Sequence, residues 1–318
     1  FEDAYYADKV VVITDNLVPY PLTDFSVPEN YVDYVVEVDA IGDPQGIVAS
    51  TTKVTKDPVS LRIAELAAKA IDASGLLKDG FSFQTGAGGA SLAAAKFLKE
   101  IMLREGIQGS FGLGGITGYM VDMLHAGCFK SLLDVQCFDL KAVESIRTDP
   151  RHQEISAMHY ASLAAASAVV DSLDVVILGA TEIDTDFNVN VHTDSNGYIM
   201  GGSGGHSDTA AGAKLAMIIA PLFRARLPIV TDHVQCISTP GRDIDVLVTQ
   251  RGVAVNPKNE ELMLRLKDAG LPVMDIRQLK DIAENITGVP KKVVREGRTV
   301  ANVIYRDGHV IDHIRSVK

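Results

Sequence analysis

Tryptophan is absent from the 318 residues, and cysteine nearly so: Cys128, Cys137 and Cys236 stand far apart, odd in number and without a C-x-x-C pair. That usage excludes a disulfide framework and a zinc knuckle, and it fits a reducing, cytoplasmic setting. Basic residues are the minority, 30 Lys and Arg against 41 Asp and Glu, for a net charge of −11. A chain of that sign lacks the clustered cations that neutralise phosphate backbones, so nucleic acid is not an expected partner. No apolar run approaches the roughly 20 residues of a membrane helix, and no signal peptide opens the chain, so no membrane association is expected. The first residue is Phe1 rather than Met, so the native start is expected upstream.

What is there is an ordinary globular composition, 47% hydrophobic and 22% charged, in a length sufficient for one large domain or two modest ones. Short β-branched runs predict strands at 9–15, 31–39, 81–84, 110–113, 132–138 and 174–180, then at 214–221, 227–234, 245–250 and 272–276. Between them lie helix signals. Asp57, Pro58 and Gly75 act as cap, first-turn residue and stop, and apolar positions 59, 63, 66, 67, 70 and 71 form one stripe. Segments 90–106, 259–270 and 275–288 read the same way, and Asp307-Gly308 sets the turn of a closing hairpin. The alternation predicts an α/β fold, a mostly parallel sheet covered by helices. Residues 17–30, the one Pro-rich irregular stretch, are expected to cover the surface between two strands.

Glycine concentrates at three predicted strand–loop junctions, "QTGAGGAS" (84–91), "GLGGITG" (112–118) and "GGSGGHSD" (201–208). Such loops let backbone N–H groups point at a phosphate, another anion or a developing oxyanion. The first two lead into helices, whose N-termini add positive potential. Each alone could be a tight turn; three at the strand ends of one α/β sheet favour a ligand crevice. A dinucleotide fingerprint is not met, because Ser91, Thr117 and Ser207 stand where the third glycine belongs. Ser203 matches G-x-S-x-G, yet only about ten residues precede the strand at Lys214, too few for the long helix of a nucleophile elbow and its return. His206, Ser207 and Asp208 are consecutive, so their side chains do not converge on one proton path.

Other polar candidates have plainer readings beside the functional ones. Glu182, Asp184 and Asp186 end a strong strand, as site carboxylates or as loop caps. His309 and His313 fall on the hairpin and His125 and His159 in helical segments, so no metal is expected. Arg242, after Pro240-Gly241, is either a bidentate grip for a carboxylate or a solvated turn residue.

These residues resemble a known family. "FSFQTGAGGAS" is similar to the Q-x-G-x-G loop of acyl-CoA transferases, and "GGSGGHSDTAAGAK" to their later G-x-G-G-x-x-D segment. More closely, "KDGFSFQTGAGGASLA", "GLGGITGYMV", "LLDVQCFDL", "RHQEI", "EIDTDFNVNV" and "GGSGGHSDTAAGAKLAMIIAP" together resemble the citrate lyase alpha chain family, over nearly the whole length. The resemblance implies a fold of the CoA-transferase type and the citrate CoA-transferase step of bacterial citrate fermentation. Acetate is exchanged for citrate on a CoA-like thioester arm, a phosphoribosyl-dephospho-CoA group on an acyl carrier (gamma) subunit. A citryl lyase (beta) subunit then cleaves the citryl thioester, and a homo-oligomer is implied. Carried onto this sequence, the resemblance places Gly204, Gly205, His206, Gly114 and Gly115 at the reacting centre, through their backbones. It places Gln84, Thr85, Gly86, Gly88, Gly89, Ser91 and Gly202 around the thioester, and turns Ser207, Arg242 and Glu182 toward the acid.

Two departures matter. Many acyl-CoA transferases carry a nucleophilic glutamate in an E-x-G motif where this chain reads Gly114-Gly115-Ile116. The resemblance then implies direct anhydride exchange, with room at Gly114 and Gly115 where that glutamate stands. In addition, the family has two related halves. Residues 1–56 resemble the closing segment of the first and residues 57–318 the second, so about one domain's worth of chain is expected before Phe1. Two readings stay open beside this one: another CoA-transferase or thioesterase using Glu182, and a non-catalytic sensor of CoA esters or sugar phosphates.

Overall fold

Runs such as Val175–Leu178 and Leu215–Ile219 carry no polar alternation, and every residue in them is buried. Strands of this kind need cover on both faces, which parallel sheets receive from their crossover helices. The computed structural model describes residues 1–23, 25–47, 52–291, 293 and 295–316. The chain opens with α1 (Glu2–Tyr6), β1 (Val11–Thr14) and β2 (Tyr34–Glu37), the two strands pairing parallel. Alternation follows: α2 (Pro58–Ala73), β3 (Phe83–Thr85), α3 (Gly89–Glu105), β4 (Gly109–Ile116), α4 (Gly118–His125), β5 (Phe129–Cys137), α5 (Leu140–Thr148), β6 (His152–Glu154), α6 (Ala157–Ala161) and β7 (Val175–Leu178). Beyond the short strands β8 (Glu182–Asp184) and β9 (Val189–Asn190) come α7 (His206–Gly212), β10 (Leu215–Ile219), β11 (Phe223–Arg224), β12 (Leu227–Pro228) and β13 (Val230–Thr231). The last elements are β14 (Val246–Val248), β15 (Val253–Val255), α8 (Glu260–Asp268), α9 (Ile276–Thr287) and the hairpin of β16 (Thr299–Ile304) with β17 (Val310–Arg315).

Eight strands form the large sheet in the order β15-β14-β10-β7-β3-β4-β5-β6, parallel throughout except for β15. Alternate residues face opposite cores. Val175, Ile177, Leu215 and Met217 meet α2, α3 and α8, whereas Val176, Leu178, Ala216 and Ile218 meet α7 and α9. The chain fills the sheet outward from β3 to β6, returns beside β3 as β7, and then fills the other side. Strand order therefore reverses between β3 and β7. At such a switch point the connections diverge and leave a crevice at the carboxyl ends of the strands.

Local signals explain most boundaries. Asp57 accepts from Ser60 N at 2.8 Å and Pro58 occupies the first turn of α2. α9 opens with a reciprocal capping box between Asp275 and Gln278. Residues 17–23 and 25–28 form no helix or strand.

Elsewhere the structure corrects the sequence reading. The strand expected at 227–234 is split, because Pro228 donates no ladder bond; β12 pairs with β11 and β13 with β8, outside the large sheet. At 272–276 Val273 makes only an isolated bridge to Val253, and Asp275 turns to cap α9. Segment 112–118 is no loop at a strand end, since β4 continues through Gly114 and Gly115 with a register irregularity between them. A helix also fits between Ser203 and Lys214. The seven-residue α7 packs close because Gly212 has no Cβ; one there would stand 2.5 Å from the Val170 carbonyl oxygen. Among the described residues no helix is long and apolar enough to cross a membrane.

Candidate functional site

At the carboxyl ends of β3 and β7, where strand order reverses, the first segment is the loop that leaves β3. Thr85 is buried and its hydroxyl donates to the Ser91 carbonyl at 3.3 Å, drawing Gly86–Gly88 into a tight turn. Gly88 then caps α3 without any side-chain acceptor, and no acid stands in the first turn. Among the described residues the opening N–H groups of this 17-residue helix have no side-chain partner, so they can offer donors and the positive end of the dipole to an anion. Gly89 is held from behind, its carbonyl accepting from Thr55 N at 3.3 Å. The Ser91 hydroxyl lies 3.6 Å from where a Gly86 Cβ would stand.

The second glycine segment behaves differently. Gly118 opens α4, but its N–H already donates to Asp139 Oδ2 at 2.7 Å, while Oδ1 of the same carboxylate caps α5 through Ala142 N at 3.0 Å. An internal carboxylate has taken this helix end. Nor do Gly114 and Gly115 leave an empty space: a Cβ at Gly115 would fall 2.0 Å from the Phe138 ring, and one at Gly114 2.8 Å from Gln84 Cδ. The expected room is filled by two neighbouring side chains.

Gln84 is the centre of the arrangement. Its Nε2 donates to Tyr160 Oη at 2.8 Å, and the phenol donates to Oε1 at 3.2 Å. Burial pushes the Tyr160 phenol up to about 12, so it keeps its proton. The Tyr160 ring in turn packs on Gly205, where a Cβ would meet it at 2.7 Å. One line of contacts, Gly114–Gln84–Tyr160–Gly205, therefore joins the end of β3 to the start of α7.

The third glycine segment is the open one. Gly201, Gly202 and Gly204 are exposed and have free space around them, and Gly204 adopts a φ of +54° that suits glycine. His206 follows, its ring bonded on both sides. Its Nε2 lies 2.9 Å from the Gly179 carbonyl oxygen, so the proton belongs there; Nδ1, 2.7 Å from Thr239 Oγ1, accepts. Burial holds the imidazole down to about 4 and keeps it neutral. The ring thus ties α7 to the loop after β7 and does not change its protonation near neutral pH, while its backbone N–H turns back to the Ser203 carbonyl at 3.3 Å. Ser207 points inward and donates to the Ser238 carbonyl at 2.7 Å. Ser203 has neither His nor acid as hydrogen-bond partner among the described residues, so the G-x-S-x-G match carries no nucleophile.

Among the described residues, two further candidates make no hydrogen bond to the glycine segments. Arg242 is largely exposed, its guanidinium 4.9 Å from the centre of the Tyr305 ring on the C-terminal hairpin. Glu182 is buried, and its Oε2 accepts from Asn190 Nδ2 at 3.1 Å and Gln235 N at 3.0 Å. It faces a separate cavity with Leu227, Thr231 and Glu284, to which none of the glycine segments contributes. Among the described residues no group of three or more His, Cys, Asp or Glu could hold a metal ion. Residues that sequence reasoning passed over are Tyr160, in an alanine-rich stretch without any motif, and Arg306, whose side chain reaches Asp208 of α7 from the hairpin.

Comparison with known proteins sets this geometry in a family. The profile of citrate lyase, alpha subunit, matches residues 1–317. The chain is 51% identical over 316 residues to the citrate lyase alpha chain of Klebsiella pneumoniae, covering 99% of this chain and 62% of that protein. A Streptococcus mutans protein assigned as the alpha subunit of citrate lyase and solved in complex with citrate superposes with a TM-score of 0.94 at 48% identity, over 99% of this chain and 62% of that one. A 4-hydroxybutyrate CoA-transferase from Porphyromonas gingivalis, 17% identical with a TM-score of 0.55 over 89% of this chain and 68% of its own, shares the fold alone.

Proposed function

This chain belongs to the citrate lyase alpha-subunit family, and on that basis we propose that the crevice between β3 and β7 binds an acyl thioester beside citrate and carries the citrate CoA-transfer step. The chain spans 62% of the length of its Klebsiella relative, so activity, substrates and partners are assigned here as a proposal for the family's shared portion. The observation that supports the reading is the pairing of an α3 N-terminus without a side-chain cap among the described residues with the open backbone of Gly201, Gly202 and Gly204 at one switch point, tied together through Gln84, Tyr160 and Gly205. The citrate complex of the Streptococcus mutans relative supports citrate as the acceptor acid.

In this reading a citrate carboxylate attacks the acetyl thioester carbonyl, forming the mixed anhydride and releasing the thiolate. The thiolate then attacks the citryl carbonyl of the anhydride, forming the citryl thioester and releasing acetate. Each addition puts negative charge on a carbonyl oxygen, which a preorganised N–H donor stabilises by about 3 kcal/mol. Holding thioester and acid together supplies much of the remaining acceleration. The chain offers no acid at Gly114 or Gly115, where Gln84 and Phe138 stand instead, in keeping with exchange that passes through no glutamyl-enzyme. Residues 57–318, which include the large sheet, are the transferase-type unit in this reading, with residues 1–56 as a segment attached to it. The thioester arm belongs to an acyl carrier partner, and a lyase partner consumes the product.

The test is citrate-dependent release of acetate from acetyl-CoA, with citryl-CoA followed by mass spectrometry, alongside a calorimetric titration with citrate. Equal amounts of acetate and citryl thioester without free thiol are expected. Saturable binding of the CoA ester with neither citrate binding nor exchange would sink the reading in favour of a sensor.

A further inference from the structure

Arg306 sits in the turn between β16 and β17 with a side chain only 10% exposed. A guanidinium carries five N–H donors and cannot lose its charge, so a buried one is normally surrounded by acceptors. This one is not. Nη2 donates to the Ala161 carbonyl at 3.1 Å. Among the described residues Nε is buried without a hydrogen bond; Asp208 Oδ1 stands 3.4 Å away, within ion-pair reach but outside hydrogen-bond geometry. The two neighbours define the place. Ala161 follows Tyr160, and Asp208 lies in the first turn of α7, three residues after Gly205. A buried cation with spare donors therefore flanks the glycine segment.

We infer that Arg306 is the residue that recognises a carboxylate of the acceptor acid, with Asp208 as the internal carboxylate that holds the guanidinium until the acid arrives. The planar fork of the guanidinium matches a carboxylate bidentately, and burial spares the interaction the screening that an exposed cation such as Arg242 suffers. Arg242, stacked on the neighbouring Tyr305 and 3.9 Å from Asp243, is an exposed cation already met by an acid. The inference rests on the transferase reading above and names the acid-recognising group within it.

Calorimetric titration with citrate separates the possibilities, using the unaltered chain, Arg306→Gln, Arg306→Lys and Asp208→Asn, each checked by thermal melting. Arg306→Gln is expected to weaken citrate binding roughly tenfold to a hundredfold. Arg306→Lys should recover only part of the loss, since an ammonium is a point charge without the fork. Asp208→Asn removes a competing carboxylate and should leave citrate binding equal or tighter. A merely structural ion pair would instead lower the melting temperature in both Arg306→Gln and Asp208→Asn and leave the citrate Kd alone, which would overturn the inference. Should Arg306→Gln fail to fold, Arg306→Lys decides: a citrate Kd equal to that of the unaltered chain overturns the inference, and a severalfold loss supports it. An unaltered chain that binds no citrate counts first against the transferase reading, whereas binding that Arg306→Gln leaves unchanged counts against Arg306 alone.

Discussion

Gln84 occupies the space that a side chain at Gly114 would fill, its Cδ 2.8 Å from the ideal Cβ position and its carboxamide locked to Tyr160. Where many CoA-transferases are expected to place an acid, this chain places a neutral amide that reaches across from the neighbouring strand.

Gly114→Ala should therefore be costly. Gly114 has a φ of +103°, a conformation that strains an L-residue by about 1–3 kcal/mol, and the new methyl group would also push Gln84 off Tyr160. Urea unfolding should show a clear loss of stability, whereas Gly86→Ala, which meets only Ser91 Oγ at 3.6 Å, should change stability much less. Equal midpoints for the two variants would refute this account of β4.

Tyr160→Phe keeps the ring against Gly205 but takes away the partner of the Gln84 carboxamide. Leaving a part-buried amide unpaired costs about 1–3 kcal/mol. Acyl exchange should slow in step, because Gln84 can then swing over the crevice. Unchanged stability and exchange would show that the Gln84–Tyr160 bond has no part in holding the site.

Acid should weaken the fold through His206. The folded imidazole is held down to about 4, against about 6.5 in the unfolded chain. Between those values the unfolded chain takes up a proton that the buried ring refuses. The contribution is full above about pH 6.5 and fades as pH falls toward about 4, by an amount on the order of 3 kcal/mol. Denaturant unfolding at pH 7 and pH 5 should show a smaller pH dependence for His206→Gln than for the parent chain. An identical dependence would assign the acid sensitivity to carboxylates instead.

Glu182 is predicted to be structural. Glu182→Gln should weaken the bonds from Asn190 and Gln235 and lower stability by about 1–3 kcal/mol, while acyl exchange continues. Borohydride added during turnover of acetyl-CoA should leave the chain unmodified. A reduced adduct that disappears in Glu182→Ala would revive the glutamyl-thioester alternative.

Much of this was legible in the linear chain because its cause is local. Asp57, Pro58 and Gly75 delimit α2 whatever surrounds them, and the unbroken apolar run of Leu215–Ile219 demands cover on both faces. The glycine segments at 84–91 and 201–208 announced backbone that must stay bare. Their equivalence with 112–118 was an illusion of composition. Only the register of β4 against β5 shows those glycines inside the sheet, and only Asp139, 21 residues beyond Gly118, closes the α4 end to anions.

Tertiary structure alone decided which side chains share the site. Tyr160 has no neighbouring motif and matters because its hydroxyl meets Gln84, 76 residues away. Arg306 reaches Asp208 and Ala161 only because the C-terminal hairpin folds back beside α6 and α7. Arg242, the more conspicuous cation after its Pro-Gly turn, is left stacked and exposed. The sequence thus determined the α/β frame and the bare backbone at two strand ends, since period, caps and missing side chains are properties of neighbouring residues. Which polar groups converge on that backbone was set by tertiary packing, because the switch point, α6 and the C-terminal hairpin bring together residues that no sequence spacing relates.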